Sequence, residues 1–188
     1  MPMPWIDTIH EDDATGDLAE LYDQIEQSRG KLSNILRVHS LHPEALRGHL
    51  ELYDALLFGR SPLRRAEREA IAVVVSVANG CAYCTRHHAE ALHAYWRDAD
   101  RVERFVDDYT QVDDLSARLR AACNYAVALT QSADGTSNED VAALREAGWD
   151  DQAILDIALI TAYFNFVNRI ANGLGVSFTD TEATGYNY

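Results

Sequence analysis

A short stretch of the sequence combines thiols, an imidazole and a carboxylate at spacings that suit thiol chemistry. Cys81, Cys84 and His88 follow one another at intervals of three and four residues, and Glu69 precedes Cys81 by twelve. In an α-helix these intervals place Cys81, Cys84 and His88 on one face, within roughly 60° of arc. His87 would lie about 120° away from Cys81. We therefore assign His88 to the site and predict a surface position for His87.

The start of a helix is a place where a cysteine becomes reactive. Gly80 marks the turn into the predicted helix, so Cys81 and Cys84 lie near its first turn, where unpaired N–H groups and the helix dipole stabilise a thiolate. Two cysteines one turn apart can form a disulfide with little backbone movement, and His88 can exchange a proton with Cys84. Antiparallel packing of the preceding helix would bring Glu69 over the pair. These residues predict a thiol peroxidase or a disulfide reductant.

The residue types alone leave open which cysteine reacts first and whether the group binds a metal. Proximity to the helix N-terminus favours Cys81 as the more acidic thiol, whereas the four-residue spacing to His88 favours Cys84. Two thiols, an imidazole and a carboxylate could also bind zinc, but structural zinc sites usually take ligands from two separated Cys/His pairs, and the sequence offers one. We predict a redox pair without a metal or other cofactor. Cys123 lies on an apolar helical stripe and is predicted to be an unreactive core residue.

Hydrophobic periodicity predicts helices along nearly the whole chain, each bounded by residues that favour helix ends. The boundary residues are Gly30, Pro43, Gly59, Ser61-Pro62, Asn79-Gly80, Ser116, Ser137 and Gly173. The segment 98–108 is consistent with a short helix or an irregular turn, and the most apolar helix, about 150–172, is expected at the centre. We predict an all-α fold of about seven or eight helices in a single domain spanning residues 1–188, with a loosely ordered polar tail from about residue 179.

Charge and composition argue against several classes of function. The 188 residues include 16 Lys+Arg and 30 Asp+Glu, which gives a net charge of −14. So acidic a chain lacks the basic face that nucleic acids and anionic membranes require, and we predict neither as a partner. The first residues show no secretion signal, and three cysteines do not suggest a disulfide framework. A reducing, cytoplasmic location is therefore expected.

The four-residue signature and its flanks resemble the alkylhydroperoxidase AhpD family, within the carboxymuconolactone decarboxylase-like superfamily. The resemblance extends from about Leu18 to Val176 and is greatest to the small peroxidase-related members. It is carried by Leu56-Leu57-Phe58-Gly59, Arg68-Glu69-Ala70-Ile71-Ala72, Ala78-Asn79-Gly80-Cys81-Ala82-Tyr83-Cys84 and Phe164-Asn165-Phe166-Val167-Asn168-Arg169-Ile170-Ala171. This resemblance implies an AhpD-like helical bundle and a peroxidase that reduces organic hydroperoxides or hydrogen peroxide.

The resemblance also implies a role for each residue of the signature. Cys84 would be the thiolate that attacks the peroxide and becomes a sulfenic acid, and Cys81 would resolve that acid as a disulfide. Glu69 and His88 would form the proton relay that activates the thiols. An external dithiol reductant or reductase would restore the pair, and the chain would assemble as a homo-oligomer, either a dimer, a trimer or a hexamer. The better-studied members carry a histidine where this chain has Tyr83, and a neutral phenol cannot replace an imidazole as a base near pH 7.

Two other functions remain open from the sequence. The superfamily includes lactone decarboxylases, so a lyase on the same scaffold is one alternative, although those enzymes lack the cysteine pair. The other is a non-enzymatic helical protein whose thiols form a redox switch. For His39, His42 and His49, beside the second helix, we predict helix capping or plain exposure. Asn168, in the most apolar helix, is expected to satisfy buried polar groups or an intersubunit contact rather than to take part in catalysis.

Overall fold

The computed structural model describes residues 4–187, which form ten α-helices and three short 3-10 turns with no β-strand in that range. Eight of the helices have nine or more residues, which confirms the predicted all-α fold. The helices are α1 (Asp17–Arg29), α2 (Asn34–Arg37), α3 (Pro43–Leu57), α4 (Arg65–Ala78), α5 (Ala82–Trp96), α6 (Ala99–Asp108), α7 (Ala117–Gln131), α8 (Asn138–Glu146), α9 (Asp151–Gly173) and α10 (Asp180–Ala183).

Local sequence signals account for most helix ends. Gly30 ends α1 in the left-handed region, at a φ of 85° that costs other residues more. His42 caps α3, because its Nδ1 accepts the N–H of Ala45 at 3.1 Å. The Ser116 side chain caps α7, and Ser137 forms a capping box at the start of α8.

Helix α4 begins later than Ser61-Pro62, where we predicted its start. The Glu67 carboxylate accepts the backbone N–H of Arg64 at 2.7 Å and closes a capping box there. Helix α4 therefore starts directly after Arg64. Ser61 instead donates a hydrogen bond to Asp156 of α9 at 2.5 Å. The segment 98–108, which the sequence left undecided, is the regular helix α6.

The core is built around α4, which packs against α5, α7 and α9. Its residues from Ala70 to Val75 are almost completely buried, because the helix is surrounded on all sides. The β-branched run at 73–75 is helical, as predicted from its continuity with the polar residues before it. By length and composition α9 is apolar enough to cross a membrane, and half of its apolar window is buried within the bundle. Leu155, Leu159 and Phe166 of α9 are exposed, so the centre is occupied by α4 and not, as we had predicted, by the most apolar helix.

The turn between α4 and α5 positions the predicted site. Gly80 has a φ of 61°, a conformation that favours glycine, and it reverses the chain so that α5 returns along α4. The Asn79 side chain donates to Asn165 at 3.2 Å and to Asn168 at 3.0 Å, both on α9. These bonds fix the turn against the core, and the first turn of α5 is held with it.

The tail that we expected to be loosely ordered contacts the rest of the protein along much of its length. Lys31 donates to the backbone carbonyls of Thr181 and Thr184, and the backbone N–H of Asn187 donates to the carbonyl of Arg29 at 3.0 Å. Such contacts cannot be predicted from a polar sequence, because they depend on partners about 150 residues away in the chain. The predicted domain and tail also include Met1–Met3 and Tyr188, which lie outside the described residues.

Candidate active site

Glu69 and His88 are joined inside the protein by a short hydrogen bond. His88 Nδ1 donates to Glu69 Oε2 at 2.6 Å, and Arg65 Nε donates to Glu69 Oε1 at 2.8 Å. Burial of the fully enclosed Glu69 raises its pKa, but His88 and Arg65 outweigh burial and hold the pKa below its usual value. The carboxylate therefore stays ionised and fixes the ring of His88, which leaves Nε2 as the nitrogen available for proton exchange.

The two cysteines form a hydrogen-bonded thiol pair at the start of α5. Cys81 is the N-cap residue, and backbone N–H groups of Tyr83 and Cys84 point towards its sulfur. The Cys84 thiol is the main cause that lowers the pKa of Cys81 to about 7, and the N–H groups add to it against the effect of burial. The same bond and burial raise the pKa of Cys84. The first negative charge of the pair therefore forms on Cys81.

A cavity of about 90 Å³ gives access to the pair from one side. Cys84 and His88 belong to its wall, and Cys84 keeps 2% of its surface exposed. Cys81 is completely buried and is absent from the wall as the described residues define it. Much of the remaining wall is aromatic, formed by Tyr53, Phe58, Tyr83, Tyr163 and Phe164. A small, largely apolar molecule in this cavity would meet Cys84 first.

The structure thus brings all four predicted site residues to one place, and it separates Cys123 from them. Cys123 lies in the core, where burial raises its pKa far above the usual value for a thiol. Within residues 4–187 no group of three His, Cys, Asp or Glu side chains has an arrangement that could hold a metal ion. Glu69, the carboxylate of the predicted signature, is already hydrogen-bonded to Arg65 and His88.

Comparison with known proteins finds similar sequences and folds. The carboxymuconolactone decarboxylase family model matches residues 43–103, a segment that contains Glu69, Cys81, Cys84 and His88. The "alkylhydroperoxidase AhpD core" structure, an uncharacterized peroxidase-related protein from Ralstonia eutropha JMP134, is 27% identical, covers 97% of this chain and 96% of its own, and gives a TM-score of 0.89. The chain has an AhpD-like fold, and its residues 43–103 match the carboxymuconolactone decarboxylase family.

Other comparisons agree with this assignment. An uncharacterized peroxidase-related protein from Silicibacter sp. TM1040 is 29% identical, with coverage of 97% of this chain and 93% of its own and a TM-score of 0.83. The debrominase Bmp8 is 22% identical, with coverage of 93% and 92% and a TM-score of 0.79, a likeness of fold alone. No curated protein matches the sequence. The AhpD-like fold therefore carries peroxidase-related, decarboxylase and debrominase proteins, and the site chemistry has to decide between them.

In this AhpD-like protein His87 is not a surface residue, contrary to our prediction. Its ring stacks on Tyr83, its Nδ1 donates to the Tyr83 carbonyl at 2.8 Å, and its Nε2 lies 3.0 Å from the carboxylate of Glu182. Tyr83 donates its hydroxyl to the same carboxylate at 2.7 Å. The helical wheel placed His87 correctly on another face of α5, but that face is covered by residues 179–187, which we call the C-terminal segment. Tyr186 and Asn187 of this segment also line the cavity.

Loss of the Glu182 carboxylate is expected to expose Cys84. Glu182→Ala removes the acceptor for the Tyr83 hydroxyl and for the Asn34 N–H at 3.0 Å, together with the carboxylate that lies 3.0 Å from His87 Nε2, so the C-terminal segment is held less firmly over the cavity. We expect a bulky maleimide to modify Cys84 about tenfold faster in this variant. A decrease of about 1.4 kcal/mol in the free energy of local opening gives that factor. Peptide mass spectrometry after timed quenching would measure the rate. Asp180→Asn, on the same short helix, is the control and should react at the wild-type rate.

The sequence missed the part played by His49. Of the three histidines for which we predicted capping or exposure, His42 does cap a helix, but His49 is 6% exposed and its ring bonds to His39 and to Tyr163 of the cavity wall. The signal was present in the spacing, because His49 shares the buried stripe of α3 with Leu46 and Tyr53. A histidine on such a stripe requires polar partners.

Asn168 satisfies buried polar groups, as we expected, and it also contacts the thiol pair. Its Nδ2 donates to Ser76 Oγ at 3.2 Å, and its Oδ1 accepts from Asn79. A side-chain hydrogen bond from Asn168 to Cys84 opposes the rise in the pKa of that thiol. Asn168 thus links the turn before α5 to the cysteine that faces the cavity.

Proposed function

We propose that this protein is a thiol peroxidase that reduces small organic hydroperoxides or hydrogen peroxide through a Cys81–Cys84 dithiol–disulfide cycle. One observation carries the proposal: the cavity reaches Cys84, whose thiol is hydrogen-bonded to an acidic Cys81 beside the Glu69–His88 pair. A decarboxylation transfers no electrons to or from the protein and so requires no second thiol to be held against the first. A pair of this kind suits a reaction that ends in a disulfide.

The cycle begins when the two thiols, which carry two protons, lose one of them and share the other. His88 removes one proton from the pair and passes it to solvent, because its Nδ1 is bound to Glu69 and its Nε2 is left to accept a proton at the cavity wall. The remaining proton then moves from Cys84 to the Cys81 thiolate along their hydrogen bond. This transfer places the charge on the sulfur that a substrate can reach, and it reconciles the acidity of Cys81 with the access to Cys84.

The peroxide is then reduced in two steps. The Cys84 thiolate attacks the outer oxygen of the peroxide, the O–O bond breaks, and Cys84 becomes a sulfenic acid while the alkoxide takes up one proton. Cys81 next attacks the sulfur of the sulfenic acid, and its own proton leaves with the hydroxide as water. Two electrons pass from the thiols to the peroxide, and one disulfide is stored. An external dithiol returns those electrons by thiol–disulfide exchange.

Stopped-flow mixing of the reduced protein with tert-butyl hydroperoxide tests the proposal. We expect two thiols to be lost for each peroxide consumed, with Cys81 and Cys84 joined in the product peptide map. An absence of thiol loss at millimolar peroxide would contradict the proposal and favour a lyase or a redox switch. One alcohol should be released for each peroxide consumed, and a dithiol reductant added afterwards should restore both thiols and complete the cycle.

The rate of peroxide reduction is expected to rise with pH through about 7. The reason is that the pKa of Cys81 is lowered to about 7, so the pair loses its first proton in that range. The ultraviolet absorbance of the thiolate should follow the same curve. Cys84→Ala removes the thiol that lowers this pKa, and the absorbance change should move towards the pH of an ordinary cysteine. Cys123→Ala should leave the curve unchanged, and a curve that is also unchanged in Cys84→Ala would contradict the assignment.

A further inference from the structure

A chain of three hydrogen bonds begins at the cavity wall and ends at a backbone carbonyl. Tyr163 of α9 lies 2.8 Å from His49 Nε2, His49 Nδ1 lies 3.2 Å from His39 Nε2, and His39 Nδ1 lies 2.9 Å from the carbonyl oxygen of Ile35. Tyr163 shares the cavity wall with Cys84, and the charge of Cys84 is among the causes that raise the pKa of Tyr163. The chain therefore starts where the peroxide would be reduced.

The terminal carbonyl sets the direction of every bond in the chain. Ile35 O can only accept, so His39 Nδ1 carries a proton, and in a neutral His39 the other nitrogen is an acceptor. His49 then donates from Nδ1 and accepts at Nε2, which requires Tyr163 to donate its hydroxyl proton to His49. In this state the phenol oxygen can only accept a hydrogen bond from a molecule in the cavity.

Protonation of His39 reverses the chain. His39 Nε2 becomes a donor to His49 Nδ1, so neutral His49 donates from Nε2 to Tyr163, and the hydroxyl proton of Tyr163 turns towards the cavity. His39 is partly exposed, whereas His49 is buried, so a proton from outside enters the chain at His39. Burial lowers the pKa of His39 despite its bond to Ile35, so its ring carries the charge only while the proton passes. A proton that arrives at His39 thus becomes a proton that Tyr163 can give.

We propose that Tyr163 protonates the leaving oxygen of the peroxide and that His39 and His49 supply the proton to it. This inference rests on the proposed peroxidase function and assigns the proton that the alkoxide takes up. As the O–O bond breaks, Tyr163 gives its proton to the alkoxide and receives one from His49, which receives one from His39. The chain returns to its neutral direction, and the alkoxide leaves as an alcohol.

The groups around the chain suit a relay that moves a proton without holding a charge. Burial is the main cause that lowers the pKa of His49 to about 3, and His39 and the nearby Arg29 add to it, so its ring is neutral near pH 7. Burial, Tyr53 and Cys84 raise the pKa of Tyr163 despite Arg29, so the phenol keeps its proton until a strong base such as an alkoxide forms. Tyr163 is then a catalytic residue, and the two histidines are positioning residues.

Two oxidants that differ in the basicity of the leaving oxygen test the relay. tert-Butyl hydroperoxide releases an alkoxide that needs a proton, whereas peracetic acid releases acetate, which does not. Tyr163→Phe and His39→Gln are expected to slow thiol oxidation by tert-butyl hydroperoxide by about 10²-fold and to change the rate with peracetic acid by less than about threefold. A structural role would alter both rates together, so the ratio of the two rates is the readout.

Two matched variants serve as controls. Tyr125→Phe removes a phenol of α7 that does not belong to the cavity wall, and His42→Asn replaces a neighbouring histidine and keeps an acceptor at the cap of α3. Both should keep the wild-type ratio of rates. Equal losses with both oxidants in Tyr163→Phe, or no loss with either, would overturn the relay and leave the peroxidase in place. A wild-type protein that reacts with neither oxidant would overturn both.

Discussion

Replacing Cys84 with serine is expected to slow the loss of thiols to tert-butyl hydroperoxide by at least about 10³-fold, because it removes the nucleophile that faces the cavity. A serine hydroxyl fills nearly the same space and can still hydrogen-bond to Cys81. The two remaining thiols, Cys81 and Cys123, are completely buried and are expected to react only through local opening of the fold. Stopped-flow measurement of free thiols, with circular dichroism to check the fold, gives the rate.

Cys81→Ser is the informative companion of this variant. It keeps Cys84 in the cavity wall but removes the resolving thiol, so one peroxide should be consumed and a sulfenic acid should accumulate, which a dimedone reagent would trap. Cys123→Ser should show the wild-type stoichiometry, since Cys123 is buried away from the site. A sulfenic acid trapped on Cys81 in Cys84→Ser, formed at the wild-type rate, would reverse the roles of the two cysteines.

Glu69→Gln is expected to damage both stability and reactivity. It leaves the Arg65 guanidinium, which is 14% exposed, without its buried counter-ion, and this should lower the free energy of unfolding by about 3 kcal/mol. It also removes the acceptor that fixes His88, and we expect peroxide reduction to slow by about 10²-fold. Urea denaturation and stopped-flow kinetics measure the two effects. Glu90→Gln, which breaks the partly exposed pair with Arg86, should change stability by less than about 1 kcal/mol and leave the rate unchanged.

The stability difference should depend on pH in a defined direction. The pKa of Glu69 in the folded protein lies below its ordinary value of 4.5, so the ionised carboxylate contributes its full stabilisation above pH 4.5. That contribution is lost as the pH falls below 4.5 and through the folded pKa. The gap between wild type and Glu69→Gln should therefore be constant near neutral pH and narrow in acid. A gap that widened in acid would contradict the ion pair.

Tyr83 shows why a family signature has to be read with its surroundings. The better-studied AhpD-like proteins carry a histidine at this position, and here the Tyr83 hydroxyl accepts the N–H of Ile35 at 3.2 Å and donates to Glu182. Burial and Glu182 raise the pKa of Tyr83, so it cannot serve as a base near pH 7. The contacts of Tyr83 hold the C-terminal segment in place, and His88 is the base in the proposed cycle.

Much of this protein follows from the sequence because the signals involved are local. Helix ends depend on residues within one turn, so Gly30, Ser116 and Ser137 ended or began helices where we predicted. The three- and four-residue spacings likewise placed Cys81, Cys84 and His88 on one face before any fold was known. Even Glu69 could be named as the partner, because the family pattern reports a contact that a single sequence cannot.

Only the tertiary structure decided what surrounds these residues. The burial of Cys81, the opening at Cys84, the cover over His87 and the bonds that join His39, His49 and Tyr163 all depend on segments that are distant in the chain. A buried polar side chain needs a hydrogen-bond partner, but its position in the sequence does not identify that partner. That choice is made when the helices pack, since the dielectric and the nearby charges that set each pKa exist only in the folded protein.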